Sequence, residues 1–166
     1  EFLNVLGLVD KPSVRFEDRY MNIGGQSGRE LVKYYYADVD MLTTPSKPII
    51  MPEEDVWFTL DESTLMGLKR ASTVFGHGQL LIQASNGSIK LSIVDPDNVT
   101  ANEYSIEVDG GYKQEDFKFI LNITNLKMVQ DVYQVKISSK LISEFKGKNS
   151  NVTYWVALEK SSTYGE

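Results

Sequence analysis

The stretch Val56–Leu68 reads VWFTLDESTLMGL, and Phe117–Val129 reads FKFILNITNLKMV. Both run alternating apolar residues into an Asp or Asn, then a Ser or Thr, then a Leu at helical spacing. The copies keep register at an offset of 61 residues: Phe58 over Phe119, Leu60 over Leu121, Asp61 over Asn122, Ser63 over Thr124, Leu65 over Leu126. Period-two alternation predicts a strand. The Asp or Asn that follows offers a side-chain oxygen to cap a helix. A phrase repeated in register is the mark of tandem structural units.

Outward from the first copy, Leu65, Leu68, Ser72 and Phe75 fall on one helical stripe, and His77-Gly78 is expected to end that helix. Strands are predicted at Leu80–Ser85 and Ser88–Val94, around Asn86-Gly87. Asn-Gly between alternating runs is a strong hairpin signal, because both turn residues need positive φ. A third strand, Tyr104–Val108, precedes Asp109-Gly110-Gly111. The second copy continues in the same way, with a short helix through Met128. Strands follow around Tyr133, Val135 and Ile137, at Ile142–Lys146, and around Val152, Tyr154, Val156 and Leu158. Each unit is strand, helix, three-strand meander. Neither can bury its helix stripe and one sheet face alone, so the two are expected to pair into one domain.

The first fifty residues read as a third copy without its leading strand. Phe2, Leu3, Val5, Leu6 and Val9 form an apolar helix, and strands are expected at Ser13–Glu17, Arg19–Ile23 and Glu30–Val39. From Asp40 to Glu54 the chain carries Pro45, Pro48 and Pro52, which predicts a stiff, extended connector. The sequence opens on Glu rather than Met, and the expectation is a chain cut from something longer.

Composition narrows the function classes. The 166 residues are 42% apolar with a formal charge of −6, ordinary for a globular protein and too acidic for one that coats nucleic acid with its whole surface. One basic face on an acidic exterior remains compatible. Cysteine is absent, which excludes disulfides and thiolate metal sites and points to a reducing, intracellular setting. The sequons at Asn86, Asn98, Asn122 and Asn151 are accordingly read as unglycosylated. No apolar run approaches the roughly twenty residues of a membrane span, so no membrane partner is expected.

Enzymatic chemistry is not expected. His77, the only histidine, lies between Gly76 and Gly78 and reads as a helix-end cap rather than a base. Glu53-Glu54-Asp55, Asp95 and Asp97 are turn and linker carboxylates without calcium-loop spacing. No catalytic residue, metal site or cofactor is assigned.

The order of units and connector resembles the DNA polymerase sliding clamp, most closely the tailed-phage clamps of the T-even type. The resemblance rests on FKFILNITNLKM (Phe117–Met128), YWVALEKSST (Tyr154–Thr163) and KPIIMP (Lys47–Pro52), and covers about the last three-quarters of such a clamp. It implies an α+β DNA-clamp fold, with antiparallel sheets outside and helices on the inner face. Residues 1–39 would be the second half of an N-terminal clamp domain, 40–54 an interdomain connector, and 55–166 a complete C-terminal clamp domain.

Further implications are a processivity factor with no enzymatic activity, three subunits closing around double-stranded DNA, and a polymerase and clamp loader as partners. The setting would be the cytoplasm of the infected bacterial host. Lys69 and Arg70 leave the Leu65/Leu68 stripe, and Lys127 holds the comparable place in the second copy. With Asn4, these are the expected DNA-facing residues. Ile49, Ile50 and Met51 would meet Val156, Ala157 and Leu158 in a pocket for partner peptides. Tyr34, Tyr35 and Tyr36 would pair with the strand of Tyr104 and Ile106 in a neighbouring subunit. Two other readings stay open: a β-rich adaptor that binds partner peptides without encircling DNA, and a structural phage protein of antiparallel sheet.

Overall fold

The computed structural model describes residues 2–41, 46–98 and 100–165, without the side chains of Leu3 and Asn4. The chain divides into two compact units, Glu1–Pro48 and Ile49–Glu166. The division falls within the proline-containing connector.

In the first unit a short helix, α1 (Phe2–Leu6), precedes three strands, β1 (Ser13–Phe16), β2 (Tyr20–Gly24) and β3 (Leu31–Tyr35). They form an antiparallel sheet in the order β1-β2-β3. Val9, Met21 and Ile23 are its buried core, with Phe2, Val5, Leu6, Val14, Val32 and Tyr34 packed around them. The third strand stops four residues before the expected Val39. The Tyr36 N–H turns back to the Arg19 carbonyl at 3.1 Å, and Val39–Met41 is a 3-10 turn. Pro45 lies outside the described residues.

The second unit opens with β4 (Val56–Leu60), whose Val56, Phe58 and Leu60 point inward. The helix α2 (Glu62–Phe75) follows, and its N-cap is Asp61. Gly76, at φ 73°, ends the helix one residue before the expected His77. Then come β5 (Gln79–Ser85), β6 (Ser88–Val94), β7 (Tyr104–Val108) and the three-residue β8 (Gly110–Tyr112). The β5–β6 hairpin closes as the sequence predicts: Asn86 and Gly87 take φ of 48° and 87°, and Ser85 faces Ser88. After β9 (Phe117–Asn122), β10 (Tyr133–Ser138), β11 (Ile142–Gly147) and β12 (Thr153–Ala157) repeat the meander, and the short β13 (Thr163–Tyr164) follows and pairs with β9.

The two copies interlock by exchanging first strands. One sheet runs β12-β11-β10-β4-β8 and the other β13-β9-β5-β6-β7. The leading strand of each copy thus completes the other copy's meander. Phe58 lies opposite Val135 and Phe119 opposite Ile82. From Phe58 to Phe119 the offset is 61 residues, but from Ile82 to Val135 it is 53. The eight missing residues come from the helix. Where the first copy has the 14-residue α2, the second has a three-residue 3-10 turn, Ile123–Asn125.

The helix expected through Met128 is therefore absent, and the local reason is visible. Asp61 accepts from the Thr64 N–H three residues on, the bond of a true helix cap. Asn122 accepts from the Thr124 N–H two residues on, an Asx turn that competes with helix. Both sheets contribute to one core, from Val56 and Phe58 through Leu80, Ile93 and Phe119 to Tyr133 and Phe145.

Candidate nucleic-acid interface

The helix α2 orients the cationic residues. Thr64, Leu65, Leu68 and Ala71 are its buried face, so the inward stripe runs through Ala71, while Ser72 and Phe75 are only half-buried. Gly67 lets the helix sit close to β7: a Cβ there would meet the Tyr104 hydroxyl at 3.1 Å. At the helix start, hydrogen bonds from the Thr64 N–H and Ser63 hydroxyl hold the Asp61 carboxyl below its usual pKa.

Lys69 emerges beside this face, half-buried, and Arg70 is fully on the exposed side. Lys69 and Lys127 line one cleft of about 310 Å³, together with Ser72, Thr73, Ile123, Thr124 and Leu126. Two cations distant in sequence are thus brought together. Lys127 reaches the cleft from the segment after the 3-10 turn rather than from a helix. Buried Ile123 and Leu126 hold that turn in place.

Burial lowers the Lys69 pKa, and neither lysine has an ion-pair partner among the described residues. The neighbouring hydroxyl protons are committed. Ser72 donates to the His77 carbonyl at 2.6 Å, Thr73 to the Lys69 carbonyl at 3.0 Å, and Thr124 to Asn122 at 2.6 Å. What the cleft offers an anion is two ammonium groups, which attract charge without reading a base edge. Arg70 does not line the cleft, and the Asn4 side chain lies outside the described residues. Neither Thr73 nor Thr124 was expected beside the lysines from the sequence; for Thr73 the signal was its i+4 spacing from Lys69.

The expected peptide pocket is changed by strand alternation. Val156 and Leu158 are 7% and 6% exposed and belong to the core, so of these three residues only Ala157 faces outward. In the connector Ile50 is 78% exposed, Ile49 less so, and Met51 is half-buried.

The expected subunit-contact strands are both sheet edges: β3 borders the first unit's sheet and β7 one sheet of the second. Alternation again sorts the side chains. Tyr34 turns inward onto Phe2, with ring centroids 5.7 Å apart. Tyr104 and Ile106 pack against the core of their own unit. Tyr35 and Tyr36 are exposed, and the Lys33 ammonium sits 3.9 Å from the centroid of the Tyr20 ring beside Tyr35. His77 is not the cap; its Nε2 lies 3.1 Å from the Asn102 carbonyl oxygen.

Interlocked strand–helix–meander copies define a DNA sliding-clamp fold, and solved structures agree. The chain matches the Caulobacter crescentus β sliding clamp at a TM-score of 0.57 and 14% identity, over 95% of this chain and 43% of that one. A DNA polymerase sliding clamp from Pseudomonas aeruginosa matches at 0.54 and 14% identity, over 90% of this chain and 42% of that one. The chain thus spans about two-fifths of these bacterial clamps.

Within that class the chain belongs to the gp45 sliding clamp family: the model of that family's C-terminal region matches residues 57–160. The sliding clamp of Enterobacteria phage T4 is 28% identical over 170 residues, 98% of this chain and 73% of the relative. That of Vibrio phage KVP40 is 26% identical over 164 residues, 96% of this chain and 73% of the relative.

Proposed function

We propose that this chain works as part of a DNA polymerase processivity clamp, a non-enzymatic ring that encloses duplex DNA and holds polymerase to its template. The observation that carries the reading is the convergence of Lys69 and Lys127 on one cleft at the end of α2, with Arg70 exposed beside them. Such contacts are electrostatic and blind to sequence, as a sliding protein requires. Three copies would join by laying the β3 edge of one along the β7 edge of the next. Unpaired edges favour this association, and it closes only if each subunit turns the right angle.

Ile49, Ile50 and Ala157 are the exposed apolar groups we assign to docking a polymerase or loader peptide. The setting we propose is the cytoplasm of a phage-infected bacterium. Crosslinking in solution is expected to trap trimers. With a clamp loader, the protein should stay on circular duplex and leave when the circle is cut. A monomer that binds partner peptides yet is never retained on circular DNA would favour the adaptor instead.

A further inference from the structure

The outward face of the β12-β11-β10-β4-β8 sheet carries both tryptophans of the chain. Strand register aligns Gly111, Trp57, Lys136, Glu144 and Trp155 in one row across it. With strands about 4.8 Å apart, the two tryptophans stand three spacings, or about 14 Å, from each other. Trp155 is half-buried, whereas Trp57 is 40% exposed.

Trp57 borders a cleft of about 560 Å³, lined also by Glu54, Thr59, Asp109, Gly110, Gln134 and Lys136. The indole is a fixed platform. A Cβ on Gly111 would lie 2.5 and 2.7 Å from its Cζ2 and Cε2 atoms, so the ring rests on bare backbone and turns its free face outward. The strand β8 begins at Gly110, opposite Phe58, so among the described residues Thr59 and Leu60 have no paired strand on that side of β4. An extended backbone can lie there.

The charge is one-sided. Lys136 is already held by Glu54 at 2.5 Å, and that bond raises its pKa. Asp109 is exposed and has no ion-pair partner among the described residues. An open aromatic face flanked by an unneutralised carboxylate suits a guanidinium, which is planar, stacks on indole and donates hydrogen bonds to carboxylate. We infer that the Trp57 cleft is a docking site for an arginine on an extended segment of a partner protein, stacked on the indole and paired with Asp109. This site is separate from the lysine cleft and does not depend on the ring reading.

The two tryptophans give an internal control. The probe is an acetylated, amidated Thr-Arg-Thr-Arg-Thr peptide, followed by the indole Nε1–H resonances of the whole chain, with the Trp57 signal assigned from Trp57→Phe. The Trp57 resonance is expected to shift saturably while that of Trp155 stays. Asp109→Asn should raise the Kd at least fivefold, and Asp97→Asn, an equal charge change elsewhere, should not. A peptide with Glu in place of Arg should cause no shift. The inference is overturned if the Trp57 resonance does not move, if both indoles titrate together, or if the two aspartate variants weaken binding equally.

Discussion

Asp131 holds Ser150 by two hydrogen bonds to one carboxylate oxygen, from the Ser150 N–H at 2.7 Å and its hydroxyl at 2.6 Å. The other oxygen accepts from the Val132 N–H and the Asn149 side-chain amide, at 2.7 and 2.8 Å. The carboxylate thus pins the β11–β12 loop to the approach to β10. Gly147 is part of the arrangement, since a Cβ there would meet an Asp131 oxygen at 2.7 Å.

These donors, the Ser150 hydroxyl foremost, hold the Asp131 pKa far below the usual carboxylate range against the opposing effect of burial. A group depressed in the folded state stabilises above its unfolded pKa of about 3.9, and that contribution fades as pH falls below it. Denaturant unfolding from pH 7 to pH 2 should show stability falling most steeply below about pH 4. Asp131→Asn should be less stable at pH 7 and have a shallower acid dependence. Unchanged stability at pH 7 would contradict the role given to this carboxylate.

Lys69 and Lys127 should act on DNA affinity rather than on folding. Each alanine variant is expected to weaken duplex binding equally on unrelated sequences and to lower the slope of log K against log salt by about 1. The melting temperature should hardly change. A loss confined to one DNA sequence would speak against phosphate contact.

The tyrosines of β3 offer a test that separates the proposed assembly from stability. Tyr35→Ser removes an exposed ring, so self-association measured by sedimentation should weaken about tenfold, roughly 1.4 kcal/mol, at unchanged melting temperature. Tyr34→Ala removes a ring packed on Phe2 and should instead destabilise the first unit. Equal behaviour of the two variants would remove the reason for assigning this edge to assembly.

Leu68 is fully buried where α2 meets the sheets, within the shared core. Leu68→Ala should cost about 2–5 kcal/mol in denaturant unfolding. Met66→Ala, two residues away and 46% exposed, should cost much less.

Periodicity made most of the second unit legible. Alternation marked Val56–Leu60 and Tyr104–Val108 to the residue, and Asn86-Gly87 fixed the hairpin between β5 and β6. These signals are local, because each depends on neighbours a few residues away. The same alternation, carried one step further, would have turned Val156 and Leu158 inward. The loss of the second helix was harder to see, because FTLDESTL and FILNITNL both offer a capping side chain, and only the structure shows Asp61 bonding the third amide and Asn122 the second.

By itself, the sequence determined that two copies of one unit exist, where their strands lie, and which helix face is apolar, since propensity and period are written in consecutive residues. Only the tertiary structure decided that the copies exchange leading strands, that Lys69 and Lys127 line one cleft, and that Trp57 and Asp109 line another. Those relations join residues distant in the chain, and long-range strand register, which no local pattern encodes, sets which of them meet.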